Sequence, residues 1–313
     1  MDAWFALGDV EWASGQLANA EQAYQQAKRI LHDQLLTTQP DSLRWLRDLA
    51  IAHSKLGTVR MAQGQLDAAA QAFSEDLTIN SRLVALDPTN TGWLHGLSIA
   101  HSKLGTVRMA QGQLDAAAQA FSEDLAISTR LVALDPTNTG WLHGLAIAHS
   151  RLGSVRMAQG QLDAATQAFS EDLAISSQLV ALDPANTGWL HGLAIAHSGL
   201  GDVRMAQGWL DAAAQAFSKG LAINSRLMAL DPANTGWLHG LSVAHGRLGD
   251  VHMKQGQLDA AAQTFSEALT ICTQLVALDT ANTGWLRDLA AAHGKLGDVR
   301  MAQGQLDAAA QAF

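Results

Sequence analysis

Histidine is the residue type whose spacing in this chain first suggests chemistry. His53, His101, His149, His197, His245 and His293 recur every 48 residues, and a second set, His95, His143, His191 and His239, stands six residues ahead of the first. Histidines on neighbouring helices could share a zinc ion, because packed helix axes lie roughly 8–10 Å apart. A zinc site needs three or four ligands, and no cysteine or carboxylate recurs beside either set. The offset of six also puts the two sets on different helix faces. Packing or capping is the expected role, and no metal or other cofactor is expected. The dipeptide His-Ser at 53–54, 101–102, 149–150 and 197–198 invites a nucleophile–base reading. Adjacent helical residues point about 100° apart, so hydroxyl and imidazole do not meet, and no third group orients the ring. No catalytic residue is assigned, and the chain is not expected to be an enzyme.

Charged residues recur in columns too. One column reads Lys55, Lys103, Arg151, Gly199, Arg247, Lys295, and three residues on it reads Thr58, Thr106, Ser154, Asp202, Asp250, Asp298. Three further on stands methionine in every copy: Met61, Met109, Met157, Met205, Met253 and Met301. The first three cations have neutral neighbours and form a row suited to an acidic or carboxylate-bearing segment. From Asp202 onward the acids offset Arg247 and Lys295. Methionine adapts to varied partners at binding surfaces, although it serves equally well as ordinary core. A further column, Arg60, Arg108, Arg156 and Arg204, can be paired with the preceding copy's Asp to give Asp76–Arg108, Asp124–Arg156 and Asp172–Arg204. That inter-repeat ladder lapses at Gly220 and His252 and breaks at Ala268 and Arg300. The alternative is independently solvated charges, since surface pairs contribute little.

All these columns belong to one internal period. Trp45, Trp93, Trp141, Trp189, Trp237 and Trp285 mark it, and segments 45–92 and 93–140 agree at 42 of 48 positions. A fixed period of 20–50 residues is the signature of a solenoid or array. A divergent unit, 1–44, precedes five near-identical units over 45–284, and a partial unit, 285–313, follows. Leu7-Gly8 matches Leu56-Gly57 at a spacing of 49, a one-residue slip expected in the loop around Thr37–Ser42.

Within 93–140 two helices are legible. Trp93, Leu97, Ala100, Leu104 and Val107 fall at helical spacing, and Gly112 ends that helix as a left-handed C-terminal glycine should. The second starts near Leu114 and carries Leu114, Ala118, Phe121, Leu125 and Val132, with Ile127, Leu131 and Leu134 on an adjoining stripe. So wide an apolar arc must be sandwiched between neighbours. Asp135-Pro136 stops it, and Asn138 or Thr139 can cap the next helix. Strand signals are absent, so the class is all-α.

Composition narrows the partners. A net charge of −9 with 16% charged residues disfavours nucleic acid, which wants a basic face. Cys272 is the sole cysteine, so no intramolecular disulfide forms and a reducing cytoplasm is the natural setting. No stretch is long and apolar enough for a membrane span.

His101-x2-Leu104-Gly105-x2-Arg108, then Ala117-x3-Phe121, then Pro136, resembles the tetratricopeptide pattern. His stands for its Trp and Arg for its Tyr. Seven extra residues in each of two places convert the short unit of the pattern to 48, about two turns per helix. The long form is similar to kinesin-light-chain-like arrays of bacterial proteins. The resemblance implies a right-handed superhelical solenoid of antiparallel helix pairs. It also implies a concave, ligand-facing wall of first helices carrying Ile99, Ser102, Lys103, Thr106, Met109 and Ala110 and their equivalents. The expected function is a scaffold or adaptor that holds a protein or peptide partner on that wall. Two alternatives stand beside it. One is a self-assembling structural solenoid joined head to tail through open terminal helices, with Trp4 and Trp12 at one end and Leu306 and Phe313 at the other. The other is a sensor or scaffold segment of a larger multidomain enzyme.

Overall fold

Capping and turn residues divide the repeat into helices at fixed points. The computed structural model describes residues 1–39 and 41–312. Among these it contains fourteen α-helices and no strand. The first helices are α1 (Asp2–Ala13), α3 (Leu43–Ala62), α5 (Thr91–Ala110), α7 (Thr139–Ala158), α9 (Thr187–Ala206), α11 (Thr235–Lys254) and α13 (Thr283–Ala302). The second helices are α2 (Leu17–Arg29), α4 (Leu66–Leu86), α6 (Leu114–Leu134), α8 (Leu162–Leu182), α10 (Leu210–Leu230), α12 (Leu258–Leu278) and α14 (Leu306–Ala312). They fall into two compact units, Met1–Gln159 with α1 to α7 and Gly160–Phe313 with α8 to α14.

Each boundary has a local cause. Asn90, Asn138, Asn186, Asn234 and Asn282 cap the first helices, each side chain accepting from the backbone N–H of the tryptophan three residues on. Such a cap satisfies one of the four N–H groups a helix start leaves orphaned. The first-to-second turn runs through Gly64 and Gly112 and their equivalents at φ between +73° and +80°, a region glycine enters without a Cβ penalty. Second helices end in an extended or near-extended aspartate. Proline enforces this after Asp135, yet Asp279 is followed by Thr280 and stops its helix just as well. Its carboxylate accepts the Ala281 N–H at 3.0 Å, and Asp135 makes the same bond to Thr137 at 3.2 Å. The aspartate turn suffices as the stop signal.

The one-residue slip falls between Tyr24 and Trp45, where two features differ from the later repeats. Helix α2 runs on into a π-turn, Ile30–Leu35, with the Leu36 N–H bonded to the Leu31 carbonyl at 2.9 Å. An i→i+5 turn takes up one extra residue without breaking the helix, and the connection to α3 is also longer, from Leu36 to Ser42 against Asp87 to Asn90 between α4 and α5.

The core is a stack of rings pressed against glycines. Phe73, Phe121, Phe169, Phe217 and Phe265 are all buried. A Cβ placed on Gly105 would lie 2.6 Å from the Phe121 ring, and one on Gly57 2.4 Å from Phe73. Gly8 repeats the contact with Tyr24, Gly201 with Phe217 and Gly249 with Phe265. Four of the rings also pack with a valine of the next first helix: Val107 with Phe73, Val155 with Phe121, Val251 with Phe217 and Val299 with Phe265.

These contacts give opposite signs for one substitution. Gly105→Ala should destabilise, because the buried ring cannot retreat, whereas Gly246→Ala, inside α11 with open space around it, should stabilise by about 0.5–1 kcal/mol through helix propensity. Phe121→Ala should cost about 3–5 kcal/mol. Denaturant unfolding of the three variants checks this, and equal shifts for the two glycine variants would refute the contact.

Candidate functional site

The cation column leans back onto the preceding repeat. Lys103 on α5 donates to Ser54 Oγ at 2.8 Å and Thr58 Oγ1 at 3.4 Å on α3, and its ammonium lies 5.9 Å from the centre of the Phe73 ring. Beneath it Asp76 of α4 is 3% exposed and accepts from Asn80 Nδ2 at 2.7 Å. One repeat on, Arg151 bonds Ser102, and the buried Asp124 accepts from Ser98 at 2.5 Å. Burial pushes the Asp76 carboxyl up to about 6, against the pull of Ser54, Lys103 and Asn80.

In the other copies the acid comes from a first helix. Asp9 of α1 takes Lys55 at 2.5 Å, Asp202 takes Arg247 and Asp250 takes Lys295. The two arrangements exclude each other. Units with Thr58, Thr106 or Ser154 carry the second-helix acid Asp76, Asp124 or Asp172, while units with Asp9, Asp202 or Asp250 carry Ala27, Gly220 or Ala268 there. Each unit therefore supplies one acid to this position. Where Gly199 replaces the cation, the Phe169 ring lies so near that a Cβ would sit 2.4 Å from it.

Lys55, Lys103 and Arg151 each reach back to the preceding repeat, and the row they form is not locally unopposed. Lys55 has Asp9, and Lys103 and Arg151 lie over buried carboxylates. The hydroxyls of Thr58, Thr106 and Ser154 donate to backbone carbonyls four residues earlier at 2.8–2.9 Å. Met61, Met109 and Met205 are partly buried against the ring clusters, and Met157 is partly buried as well. Asp298 is exposed. Ile99 and Ile147, four residues before the cations, are exposed at 38% each.

The Asp76–Arg108 pair of the expected ladder does not form. Arg108 donates to Gln111 Oε1 and Gln113 Oε1 at 3.2 and 2.9 Å, and Asp76 faces Lys103 instead, five residues nearer the start of α5. Arg204 donates to the Ala212 carbonyl at 3.3 Å. Arg60 does make an inter-repeat ion pair, with Glu21 at 2.9 Å. Sequence reasoning also missed the glutamines after the first helices. Gln111 donates to Asp67 at 2.7 Å and Gln159 to Asp115 at 2.7 Å, and Gln255 and Gln303 repeat the bond at 2.8 Å. Their constant spacing of 44 was the available signal.

Two clefts open between first helices of the N-terminal unit. One, of about 630 Å³, lies between α3 and α5 over Asp76 and is lined by Arg47, Lys55, Trp93 and Lys103. Its counterpart between α5 and α7, over Asp124, is about 200 Å³. The second histidine column fills such gaps: the His95 ring lies 5.1 Å from that of Trp141, and His191 lies 5.2 Å from Trp237. His239 instead contacts Asp288 at 3.1 Å. Among the described residues no three His, Cys, Asp or Glu side chains converge as metal ligands would. No helix is long and apolar enough to cross a membrane. Trp4, Trp12 and Leu306 are exposed; Phe313 lies outside the described residues.

Family models described as tetratricopeptide repeat match residues 1–34 and 243–274. The fold is that of a tetratricopeptide-repeat array. Solved structures share the fold. BtubC from P. vanneervenii is 18% identical with a TM-score of 0.63, over 83% of this chain and 92% of that one. Kinesin light chain nearly identical TPR-like repeats from Podosopora anserina are 17% identical with a TM-score of 0.53, over 73% and 96%. A signal-transduction ATPase with a tetratricopeptide repeat sensor, from Pyrococcus horikoshii, is 10% identical with a TM-score of 0.65, over 96% of this chain and 39% of that one. No curated protein sequence matches the array.

Burial favours the neutral form of seven histidines. Desolvation depresses His53 to about 4 and also lowers His95, His101, His143, His191, His197 and His245. A depressed histidine contributes stability that is complete above about pH 6.5 and lost as pH falls toward the folded value. Asp76 has the opposite sign, its contribution being complete below about pH 4 and lost as pH rises through about 6. The histidines outnumber it, so the unfolding midpoint should fall between pH 7 and pH 4. His53→Gln should flatten that fall, and Asp76→Asn should steepen it; a flat wild-type profile would contradict both assignments.

Proposed function

We propose that the array is a protein-binding scaffold that holds an acidic, partly apolar segment of its partner along the face of the first helices, concave in the tetratricopeptide family. The observation that carries this reading is the pair of clefts over Asp76 and Asp124, one repeat apart. Cations line them at Lys55, Lys103 and Arg151, with exposed Ile99 and Ile147 beside them. Repeated side-chain sets favour an extended segment, because successive weak contacts raise one another's effective concentration. The first helices of the C-terminal unit, with Asp202, Asp250 and Asp298 beside Arg247 and Lys295, suit a less acidic segment. The chain acts without catalysis or cofactor, in the cytoplasm, on protein and not on nucleic acid or membrane. A second reading, a sensor segment within a larger signalling enzyme, draws on the likeness to the repeat sensor of the Pyrococcus horikoshii ATPase, and the length of the native reading frame tests it.

Neutral changes test the face better than charge reversals, since a glutamate at 103 would confront the buried Asp76. Immobilised wild-type chain should capture its partner in a salt-sensitive way, and Lys103→Gln with Arg151→Gln should reduce capture several-fold and lessen that sensitivity. Unchanged capture by this double variant, with loss on changing the second-helix residues Gln71 and Gln119, would place the partner on the other face.

A further inference from the structure

The larger cleft differs from its counterpart in one residue that matters most. Arg47 stands where the next four units have His95, His143, His191 and His239. In the next cleft the imidazole of His95 lies against Trp141 and occupies the gap. Arg47 is exposed and makes no hydrogen bond, ion pair or ring contact among the described residues, so Trp93 is left without a ring against it. The cleft there is about 630 Å³ against about 200 Å³ one repeat on.

The other charges in the cleft are spoken for. Lys55 is held by Asp9 at 2.5 Å, while Lys103 is held by Ser54 and Thr58 above Asp76. The uncommitted charge is one guanidinium, bordered by Trp93, Ile51 and Ile99. A guanidinium matches a carboxylate with two parallel N–H···O bonds, and the surrounding side chains offer apolar cover to whatever flanks that carboxylate.

We propose that the cleft between α3 and α5 is the selective pocket of the array, binding one acidic side chain of a peptide on Arg47 with an adjacent aliphatic side chain against Trp93, Ile51 and Ile99. This rests on the first-helix face being the binding face. Arg47 sits in the added N-terminal part of the helix, ahead of the segment that carries the repeat pattern, so the specificity comes from the lengthening of the unit. The cleft between α5 and α7, narrowed by His95 against Trp141, contributes avidity without choosing the residue.

The probe is the tripeptide acetyl-Leu-Glu-Leu-amide, with acetyl-Leu-Gln-Leu-amide as its neutral isostere, titrated by NMR into the full chain. The Trp93 indole N–H, identified with Trp93→Phe, is the reporter. The glutamate peptide should shift that resonance and bind about tenfold more tightly than the glutamine peptide, about 1.4 kcal/mol. Arg47→His installs the residue that the next four units carry and so keeps the fold. It should abolish the preference, and Arg47→Lys should retain part of it. Equal affinity for the two peptides, or a preference that survives Arg47→His, overturns the pocket. If that preference survives Arg47→His but is lost in the Lys103→Gln, Arg151→Gln variant, the binding face stands and Arg47 is not its selector. If the peptide shifts only resonances away from the first helices, both readings fall.

Discussion

A missing side chain against a buried ring sets the geometry on which the rest depends. Gly105 lets Phe121 approach the α5 backbone within a distance that any Cβ would block, and Gly57 does so for Phe73. That contact fixes the separation of the two helices in a pair. The ring also packs with Val155 or Val107 of the next first helix, so one aromatic determines both the intra-repeat and the inter-repeat distance. Protein interiors are packed closely enough that such contacts cannot drift by much. The cation column inherits its position from the same rings. Lys55, Lys103 and Lys295 place their ammonium groups 5.3, 5.9 and 5.7 Å from the centres of Tyr24, Phe73 and Phe265. Attraction of this kind is worth about 0.5–1 kcal/mol at partly exposed sites.

Local compensation decides what kind of electrostatic recognition the array can perform. A cation over a buried carboxylate, or beside Asp9, Asp202 or Asp250, has little field beyond a few ångströms, and salt removes much of what remains. The net charge of −9 does not draw acidic partners in from a distance. Selectivity therefore has to come from contact, in places where shape and one uncommitted charge coincide. On the reading proposed above, the cleft between α3 and α5 with Arg47 is such a place, and the exposed Ile99 beside it supplies the apolar part.

Much of the fold was legible because the signals that set it are local. Gly112 marks an end whose positive φ few other residues adopt, Asp135 marks one closed by its own side-chain turn, and Asn138 caps as expected, accepting from both Gly140 and Trp141 N–H. The π-turn at Ile30–Leu35 was not legible. A slip of one residue between Tyr24 and Trp45 can be absorbed in a helix or in a loop, and sequence spacing is blind to the choice. The partners of the charges were misread for a related reason. Arg108 and Lys103 are five residues apart on one helix, so either could be drawn toward Asp76 by counting. The choice falls to Lys103 because Ser54 and Thr58 wait on that side, while Gln111 and Gln113 hold Arg108 on the other. The columns themselves were readable, but which column faces which depends on helix rotation, and that is set by the glycine–ring contact.

The alternation of acids has a consequence for how such a chain can change length. Each cation takes its counter-charge from the preceding unit, and each unit offers one acid to its successor, from the first helix or from the second. Any unit can then follow any other without leaving a cation stranded or two carboxylates opposed. Copies that carry the cation can be inserted, lost or shuffled at the level of the gene with charge matched at each junction, and the copy with Gly199 is the exception. Balance of this kind belongs to the join between copies, so it survives rearrangements that a balance contained within each copy would not need to meet.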